Sequence, residues 1–366
     1  MNHRVQSSGM IDLGERISLK VAKEKGEAAI SILKRLNVID KDLRVASTRQ
    51  DVFAPLCRAL SEDELALLES ELRDFKVTSH EFKRRDRKPR SLVEAIGEQL
   101  EPHILAELPR SYDIVGNTAI LELPESLLKH GRTVGEAMMR VNPHVKTVLG
   151  KASPVTGKYR TREFILLAGH PSTVTEHREH GFVFRLDVRT VYFSPRLSRE
   201  RQRIAAAVQP GETVVDMFAG VGPFSIVVAG SRNVRKVYGI DINPDAVTFM
   251  LQNIMLNKLR GRVTAVLADA ATASNLLSGL ADRVVMNLPA DSERFIPQAC
   301  RLLSRGGGII HFYTFISEES SQEYVLENLR KSVEGTGKEI VRIEAVRAVR
   351  PVAPREWQLA VDVRVA

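Results

Sequence analysis

The C-terminal half of the sequence predicts an α/β fold with a mostly parallel sheet and helices on both faces. From Glu200 onward, short apolar strands alternate regularly with helical segments, which is the pattern of parallel sheets. A strand at Thr213–Met217 runs into a glycine turn, and a helix then starts at Pro223, a position that proline favours. Two β-rich segments, 339–349 and 358–365, are joined across 350–354 and predict an antiparallel hairpin at the sheet edge.

Two smaller α/β domains are predicted before this sheet. A chain of 366 residues is long enough for about two or three domains with separate cores. Residues 1–80 are predicted to form a small N-terminal domain, and residues 81–185 a middle α/β domain that begins with a basic linker. Residues 186–366 then form the domain that contains the parallel sheet.

The individual elements follow from the spacing of apolar residues, which is two in strands and three or four in helices. Ser91 and Glu94 predict a capping box, and Pro102 predicts an end or kink to the helix that follows. Predicted strands are 17–21, 112–123 with a turn at 116–117, 182–193, 213–217, 236–241, 263–267, 283–286 and 308–313. Predicted helices are 25–36, 63–75, 91–100, 131–139, 244–257 and 320–332.

The charge balance is basic. Lysine and arginine exceed aspartate and glutamate by 53 − 45 = 8, and the pI is about 9.5. Such a balance favours a nucleic-acid partner, whose phosphates the cations neutralise. The run 83–90 has six cations in eight residues, and it is interpreted either as a phosphate contact or as a solvated linker.

Several classes of protein are disfavoured. No apolar run approaches the roughly 20 residues of a membrane helix. Residues 1–15 lack the apolar segment of a signal peptide. Cys57 and Cys300 lie far apart in the sequence and indicate neither a disulfide framework nor a zinc site, so cytoplasmic residence is expected. His170, His177 and His180 are too loosely placed to predict a metal site.

The glycine turn at Val214–Ser225 indicates the class of cofactor. A dinucleotide fingerprint would have glycine at position 225, where this chain has Ser225. Asp216 precedes the turn, where an anionic pyrophosphate would be repelled. S-adenosylmethionine carries an ammonium and a sulfonium and no phosphate, so it tolerates this carboxylate. An ordinary strand-to-helix turn is the alternative interpretation.

Polar residues follow four successive predicted strands, and ligands of open α/β sheets bind at these strand ends. The residues are Asp216 with the Gly220-Val221-Gly222 turn, Asp241, Asp269 and Asn287. Asp241 suits the hydroxyls of a ribose, Asp269 an adenine amino group, and Asn287 the edge of a planar base. The respective alternatives are a helix cap, a loop carboxylate and a turn residue. Because the four polar residues fall at consecutive strand ends, a shared ligand pocket is favoured over three separate structural roles.

Two basic clusters lie upstream of the sheet. The segment 192–201 combines aromatic residues, arginines and Glu200, and it is interpreted either as a lid over a flipped base or as a loop leading into a charged helix. The segment 157–162, which includes Arg160, is a candidate contact for a phosphate or a base oxygen.

Together these stretches resemble the archaeal tRNA (guanine-N1)-methyltransferases, which methylate the guanosine 3′ of the anticodon. The resemblance extends from Leu19 to Val365. It implies a class I Rossmann-like methyltransferase domain that uses S-adenosylmethionine, and a tRNA partner recognised at its anticodon stem-loop and, by the N-terminal domain, at its outer corner. The middle domain would join the two. A monomer is expected as well, since no protein partner is evident. The matching stretches are 157–163 (GKYRTRE), 191–200 (VYFSPRLSRE), 214–225, 239–244 (GIDINP), 286–289 (MNLP), 311–314 (HFYT) and 353–356 (APRE).

The resemblance also implies roles for single residues. Glu200 corresponds to the general base, for which a raised pKa is expected, and Arg160 to the arginine near guanine O6. Asn287 corresponds to the amide that reads the base, and Pro289 shapes its turn. Contacts to the cofactor are expected from Arg201, Asp216, Phe218, Gly220, Gly222, Asp241, Ile242, Asp269, Ala270 and Asn287.

One departure and three rival functions accompany the resemblance. Ala290-Asp291 stands where relatives usually have a lysine followed by a small residue, so the contacts after Pro289 are not carried over. The first rival is a transferase of wyosine biosynthesis that moves the aminocarboxypropyl group of the same cofactor. It needs no base at guanine N1, so Glu200 favours methyl transfer. An adenine N6-methyltransferase and a non-catalytic RNA-binding module are the others.

Overall fold

The computed structural model describes residues 15–85 and 88–366, and the chain divides between Lys88 and Pro89 into two compact units. The predicted lack of a signal segment in residues 1–15 falls almost wholly outside the described residues, as do Asp86 and Arg87 of the basic run. No helix in the described ranges is long and apolar enough to cross a membrane.

The first unit has an antiparallel sheet with strand order β2-β3-β1-β4. Leu19 and Val21, two positions apart on β1, share a core with Leu33 and Leu68 from the two helices. The predicted strand and helices are found, whereas three further strands were not predicted. The elements are β1 (Arg16–Ala22), α1 (Gly26–Arg35), β2 (Ala46–Ser47), β3 (Asp51–Pro55), α2 (Glu62–Leu72) and β4 (Lys76–His80).

The second unit begins with a four-stranded sheet of order β5-β6-β7-β8, covered by α6. The predicted turn at Gly116-Asn117 is confirmed. The prediction at Pro102 is wrong, because proline starts a helix there instead of ending one. The elements are α3 (Leu92–Ile96), α4 (Pro102–Ala106), β5 (Asp113–Val115), β6 (Thr118–Leu121), α5 (Glu125–Leu128), α6 (Gly131–Val141), β7 (Thr147–Lys151) and β8 (Phe164–Gly169).

A hairpin of β9 (Val174–Glu179) and β10 (Phe182–Asp187) follows. The predicted strand 182–193 is therefore wrong beyond Asp187. The carboxylate of Asp187 accepts a hydrogen bond from the Arg189 N–H at 2.9 Å, and its carbonyl accepts one from the Thr190 N–H at 3.2 Å. These bonds close a turn that ends the strand.

The remaining chain forms a seven-stranded sheet of order β13-β12-β11-β14-β15-β17-β16. The first five strands are parallel, and the last two pair antiparallel, which confirms the predicted sheet and its edge hairpin. The strands are β11 (Thr213–Asp216), β12 (Lys236–Asp241), β13 (Val263–Leu267), β14 (Arg283–Met286), β15 (Gly308–Ser317), β16 (Ile340–Ala353) and β17 (Glu356–Val365). The helices are α7 (Ser198–Ala207), α8 (Pro223–Ser231), α9 (Pro244–Leu256), α10 (Ala270–Leu276), α11 (Ile296–Leu302) and α12 (Gln322–Glu334).

The connection between β16 and β17 is shorter than predicted. Residues 350–353 continue β16, with Arg350 opposite Gln358 and Ala353 opposite Glu356. Only Pro354 and Arg355 make the turn. The strand order reverses at β11, whose neighbours are β12 and β14, and a ligand crevice forms at such a point.

Candidate active site

A cavity of about 510 Å³ lies at the carboxyl ends of β11, β12, β13 and β14. Side chains from the upstream segment 157–160 and from the edge hairpin complete its wall. Glu200, Asp216 and Gly222 do not line the cavity. The predicted site residues that do line it are Arg160, Arg201, Phe218, Gly220, Asp241, Ile242, Asp269, Ala270, Asn287 and Pro289.

The turn after β11 requires its glycines. Gly220 and Gly222 have φ of +56° and +85°, in the left-handed region that other residues avoid. A Cβ on Gly222 would lie 2.8 Å from Cγ of Met250, so this position also lacks space for a side chain. The Gly220 N–H donates to Oδ2 of Asp241 at 2.7 Å, which ties the turn to the end of β12.

Asp241 and Asp269 each accept hydrogen bonds from backbone N–H groups and still have lone pairs for a ligand. Asp241 accepts one backbone N–H on each oxygen, from Gly220 and from Asn243, which leaves further lone pairs for the hydroxyls of a ribose. Asn243 caps α9. Asp269 caps α10 through Oδ1, which accepts from the Ala271 N–H at 2.8 Å. The helix-cap alternative at Asp241 is thus realised through Asn243, and Asp269 is a helix cap instead of a loop carboxylate. Both aspartates still have lone pairs for a ligand.

Two buried polar atoms of the predicted site residues lack partners among the described residues. One is Nε of Arg201, which lines the cavity, and the other is Oδ1 of Asp216, which ends β11 directly before the lining residue Met217. A ligand end that carries both a carboxylate and an ammonium, as S-adenosylmethionine does, complements this acceptor and this donor. Burial raises the pKa of Asp216 to about 7, against the lowering effect of the Ser225 hydroxyl, and the nearby charge of Asp241 raises it further. The residues present therefore fit this cofactor.

Arg201 is held rigidly. Its guanidinium donates to Oε2 of Glu179 at 2.6 Å and to the carbonyl of Ser194 at 2.7 Å. It also lies over the ring of Phe193, 4.7 Å from the centroid. The remaining Nε–H is thus presented in one orientation.

Arg160 lies at the rim of the same cavity. Its backbone has φ of +54°, and its guanidinium lies over the ring of Tyr192 at 5.7 Å. No carboxylate in the described part of the chain pairs with it, so its charge is available to a ligand. The aromatic face holds the cation at the cavity mouth.

Glu200 lies behind the cavity wall and is 4% exposed. Its Oε1 accepts from the Tyr313 hydroxyl at 2.6 Å and from Nη2 of Arg203 at 2.7 Å. Arg347 donates to both oxygens. Burial alone would raise the pKa of Glu200, but the hydrogen bonds from Arg203, Arg347 and Tyr313 outweigh it and lower the pKa. The expectation of a raised pKa is therefore wrong.

The ion pairs around Glu200 connect to charged residues on strands of the sheet. Arg203 also pairs with Asp362 at 2.5 Å, and Asp362 accepts from Nδ1 of His311 at 2.6 Å. The other nitrogen of His311 lies 2.9 Å from Nη1 of Arg283. Within the described ranges, no group of three or more histidine, cysteine or acidic side chains is arranged to hold a metal ion.

Asn287 and Pro289 follow β14. The Ser292 hydroxyl lies 2.9 Å from the carbonyls of both Met286 and Leu288 and holds this turn in shape. Asp291, one of the two residues that depart from the resemblance, also lines the cavity.

Sequence reasoning missed four residues around Asn287 and Glu200. Gln358 contacts Asn287 and is itself contacted by Arg350. Arg347 on the edge hairpin and Tyr313 on the neighbouring strand contact Glu200. A usable signal existed for Gln358, which is polar within the otherwise apolar run 357–361 and is 1% exposed. A buried polar side chain requires a partner.

Comparisons with known proteins agree with this site. A family model described as the TRM5/TYW2 methyltransferase domain matches residues 175–341, and one described as the TYW2 N-terminal domain matches residues 92–173. A tRNA (guanine(37)-N(1))-methyltransferase Trm5b of Pyrococcus abyssi is 36% identical over 352 residues, which cover 96% of this chain and 99% of the relative.

Two further similarities differ in extent. A solved complex of aTrm5 with tRNALeu matches with a TM-score of 0.81 and 34% identity, over 96% of this chain and 100% of that one. A tRNA(Phe) (4-demethylwyosine(37)-C(7)) aminocarboxypropyltransferase of Pyrococcus horikoshii is 31% identical, over 76% of this chain and 97% of the relative. Full-length similarity thus extends to the methyltransferases, and this protein belongs to the family of archaeal tRNA (guanine(37)-N(1))-methyltransferases, whose class I domain uses S-adenosylmethionine.

Proposed function

We propose that this protein transfers a methyl group from S-adenosylmethionine to N1 of the guanosine 3′ of the anticodon in tRNA. The observation that carries the proposal is the convergence of ten residues, predicted from six separate segments of the sequence, on the wall of one cavity. Full-length similarity to enzymes named for this activity supports it.

The cofactor, when bound, supplies a methyl group on a positively charged sulfur. We assign Asp241 to the ribose hydroxyls, Asp269 and Ala270 to the adenine end, and Arg201 with Asp216 to the charged end. Backbone hydrogen bonds hold Asp241 and Asp269, and ion-pair contacts hold Arg201, so these side chains are fixed in place. Fixed contacts suit the assigned roles, because a displacement reaction mainly requires that the reactants be aligned. Phe218 and Ile242 offer apolar contact between these polar groups.

Guanine N1 carries a proton and is a poor nucleophile until that proton is removed. We assign the acceptor to Glu200: the N1–H bond would break, the proton would pass to the carboxylate, and the N1 electron pair would form the new bond to the methyl carbon. The bond between that carbon and the cofactor's sulfur would break, with its electron pair left on the sulfur of a neutral thioether. Arg160 stabilises the negative charge that spreads to O6. Because Glu200 lies behind the wall, the assignment requires its carboxylate to turn toward the cavity, with opening of the pair to Arg347, when tRNA binds.

tRNA is the substrate, and the regions that hold it are part of the proposal. We assign the outer corner of the tRNA to residues 1–80, the link to the catalytic part to residues 81–185, and catalysis on the anticodon stem-loop to residues 186–366. The excess of eight cations over acids supports a phosphate-rich partner. We further expect a monomer in the cytoplasm, and light scattering after size-exclusion chromatography tests the oligomeric state.

Aminocarboxypropyl transfer is the second candidate, since the relative from Pyrococcus horikoshii is named for that activity. That similarity leaves about a quarter of this chain unmatched, given its 76% coverage. A base at N1 is also superfluous for that reaction. The two reactions add groups of very different mass.

The deciding experiment incubates the full chain with an unmodified tRNA transcript and isotopically labelled S-adenosylmethionine. Digestion and mass spectrometry then identify the modified nucleoside. We expect N1-methylguanosine at the position 3′ of the anticodon. A nucleoside carrying the larger group, or modified adenosine, would overturn the proposal. A transcript with adenosine at that position is the matched control and should stay unmodified.

A further inference from the structure

Three side chains on the cavity wall form a directed chain of hydrogen bonds. Nε of Arg350 donates to Oε1 of Gln358 at 3.0 Å, and Nε2 of Gln358 donates to Oδ1 of Asn287 at 3.1 Å. Arg350 and Gln358 are opposite each other on β16 and β17, and Asn287 follows β14. All three line the cavity.

The direction of this chain follows from chemistry. Arginine has only donors, so the atom of Gln358 that faces Arg350 must be its oxygen. The NH₂ group of Gln358 then faces Asn287, and because that group only donates, Asn287 must answer with Oδ1. The usual ambiguity between the two orientations of an amide is thereby removed for both residues.

The orientation of Gln358 determines which atom of Asn287 faces the cavity. Oδ1 of Asn287 accepts the hydrogen bond from Gln358, while its Nδ2 has no hydrogen-bond partner in residues 15–85 and 88–366. Gln358 is 1% exposed, so water does not compete for these contacts. Asn287 therefore presents donors to the cavity.

We propose that Arg350 and Gln358 are positioning residues that fix the amide of Asn287 with its NH₂ group toward the substrate base, and thereby select a base with an acceptor at position 6. The proposal rests on the proposed function and deepens it. Guanine has the acceptor O6 there, whereas adenine has the donor N6–H₂. Two donors facing each other would leave both unpaired, which is a strong basis for rejection.

The test compares two replacements of Gln358 on transcripts with guanosine, inosine or adenosine at the target position. Gln358→Glu keeps the contact with Arg350 but offers only acceptors, so Asn287 must turn its NH₂ group inward and its oxygen toward the cavity. We expect a fall in kcat/KM on guanosine of more than about tenfold. Gln358→Met removes both hydrogen bonds, so Asn287 can adopt either amide orientation. We therefore expect a smaller fall in kcat/KM on guanosine. Inosine, which keeps O6, should follow guanosine.

A merely structural role predicts the reverse order, because Gln358→Met loses both hydrogen bonds, whereas Gln358→Glu keeps the one from Arg350 and accepts another from Asn287. Losses from Gln358→Met that equal or exceed those from Gln358→Glu would overturn the proposal. The affinity for S-adenosylmethionine should stay within about threefold in both variants, since Gln358 is assigned to the base. Gln209→Glu, at an exposed position outside the cavity, controls for the added charge.

Arg350 gives an independent test if a variant of buried Gln358 does not fold. Arg350→Lys keeps a donor-only group and should retain most of the activity. Arg350→Met leaves Gln358 and Asn287 free to adopt either orientation, so activity should fall as with Gln358→Met and discrimination against adenosine should weaken. Equal activity of the two variants would contradict the proposal. Absence of N1-methylguanosine with the unaltered protein would instead count against the proposed function itself.

Discussion

Glu200 on α7 and Arg347 on β16 form a two-point ion pair, with Nη2 of Arg347 2.8 Å from Oε1 and Nη1 3.1 Å from Oε2 of Glu200. Before the reaction, the candidate base is thus a deprotonated carboxylate paired with a cation. Protonation of Glu200 removes the negative charge that attracts Arg347, so proton acceptance weakens this ion pair.

The first prediction concerns Arg347→Gln. Loss of this cation raises the pKa of Glu200, because burial then has less to oppose it. Glu200 must be deprotonated to accept a proton, so the acid side of the kcat/KM–pH profile, which reports the free enzyme, should shift to higher pH. Single-turnover rates measured across the acid range at subsaturating tRNA check the shift. Arg342→Gln, at an exposed position on the same strand, should leave the profile unchanged. An unshifted profile with Arg347→Gln argues against Glu200 as the base.

The second prediction concerns Glu200→Gln. An amide cannot take the N1 proton, so turnover should fall by roughly 10²-fold or more. Binding of cofactor and tRNA should be retained, and calorimetry and filter binding measure both. Glu344→Gln, an acid-to-amide change on β16, is the control. Turnover like that of the unaltered protein would remove Glu200 from its assigned role.

The third prediction concerns the pH dependence of stability through Asp216. In the folded chain this carboxyl holds its proton to about pH 7, whereas an aspartate in an unfolded chain releases it near pH 4. Between these values the folded state binds more protons, so the free energy of unfolding should fall as pH rises from about 4 to 7.

Chemical denaturation at several pH values, without cofactor, measures this slope. Asp216→Asn should reduce the fall, because the amide does not titrate. Asp63→Asn, at an exposed position on α2, should leave the slope as it is. A slope equally steep with Asp216→Asn would show that other groups cause it.

The fourth prediction compares Gly222→Ala with Gly261→Ala. Both glycines have φ above +80°, so alanine costs about 1–2 kcal/mol of backbone strain at either. Only at Gly222 does the new Cβ meet Met250 at 2.8 Å, which adds about 1–3 kcal/mol. Urea denaturation should therefore show the larger loss for Gly222→Ala, and cofactor affinity should fall in that variant alone. Equal losses would mean that the turn relaxes.

The parallel sheet could be predicted from the sequence because its signals are local. Strands such as 236–241 are short apolar runs, and glycine and proline mark the turns around them. A strand prediction failed at Asp187, where the spacing of apolar residues suggests a continuous strand but the Asp187 carboxylate closes a turn. Strands β7 and β8 were not predicted, because their formation depends on pairing with residues distant in the chain.

By itself, the sequence determined the fold class, the family and ten of the residues that line the cavity, most of them because strand ends of a parallel sheet converge on one edge. Only the tertiary structure decided how those residues are ionised and oriented. Arg347, which lowers the pKa of Glu200, is 147 positions away in the chain, and Gln358, which orients Asn287, is 71 positions away. Electrostatic and hydrogen-bond partners act through space over a few ångströms, so no local pattern contains them.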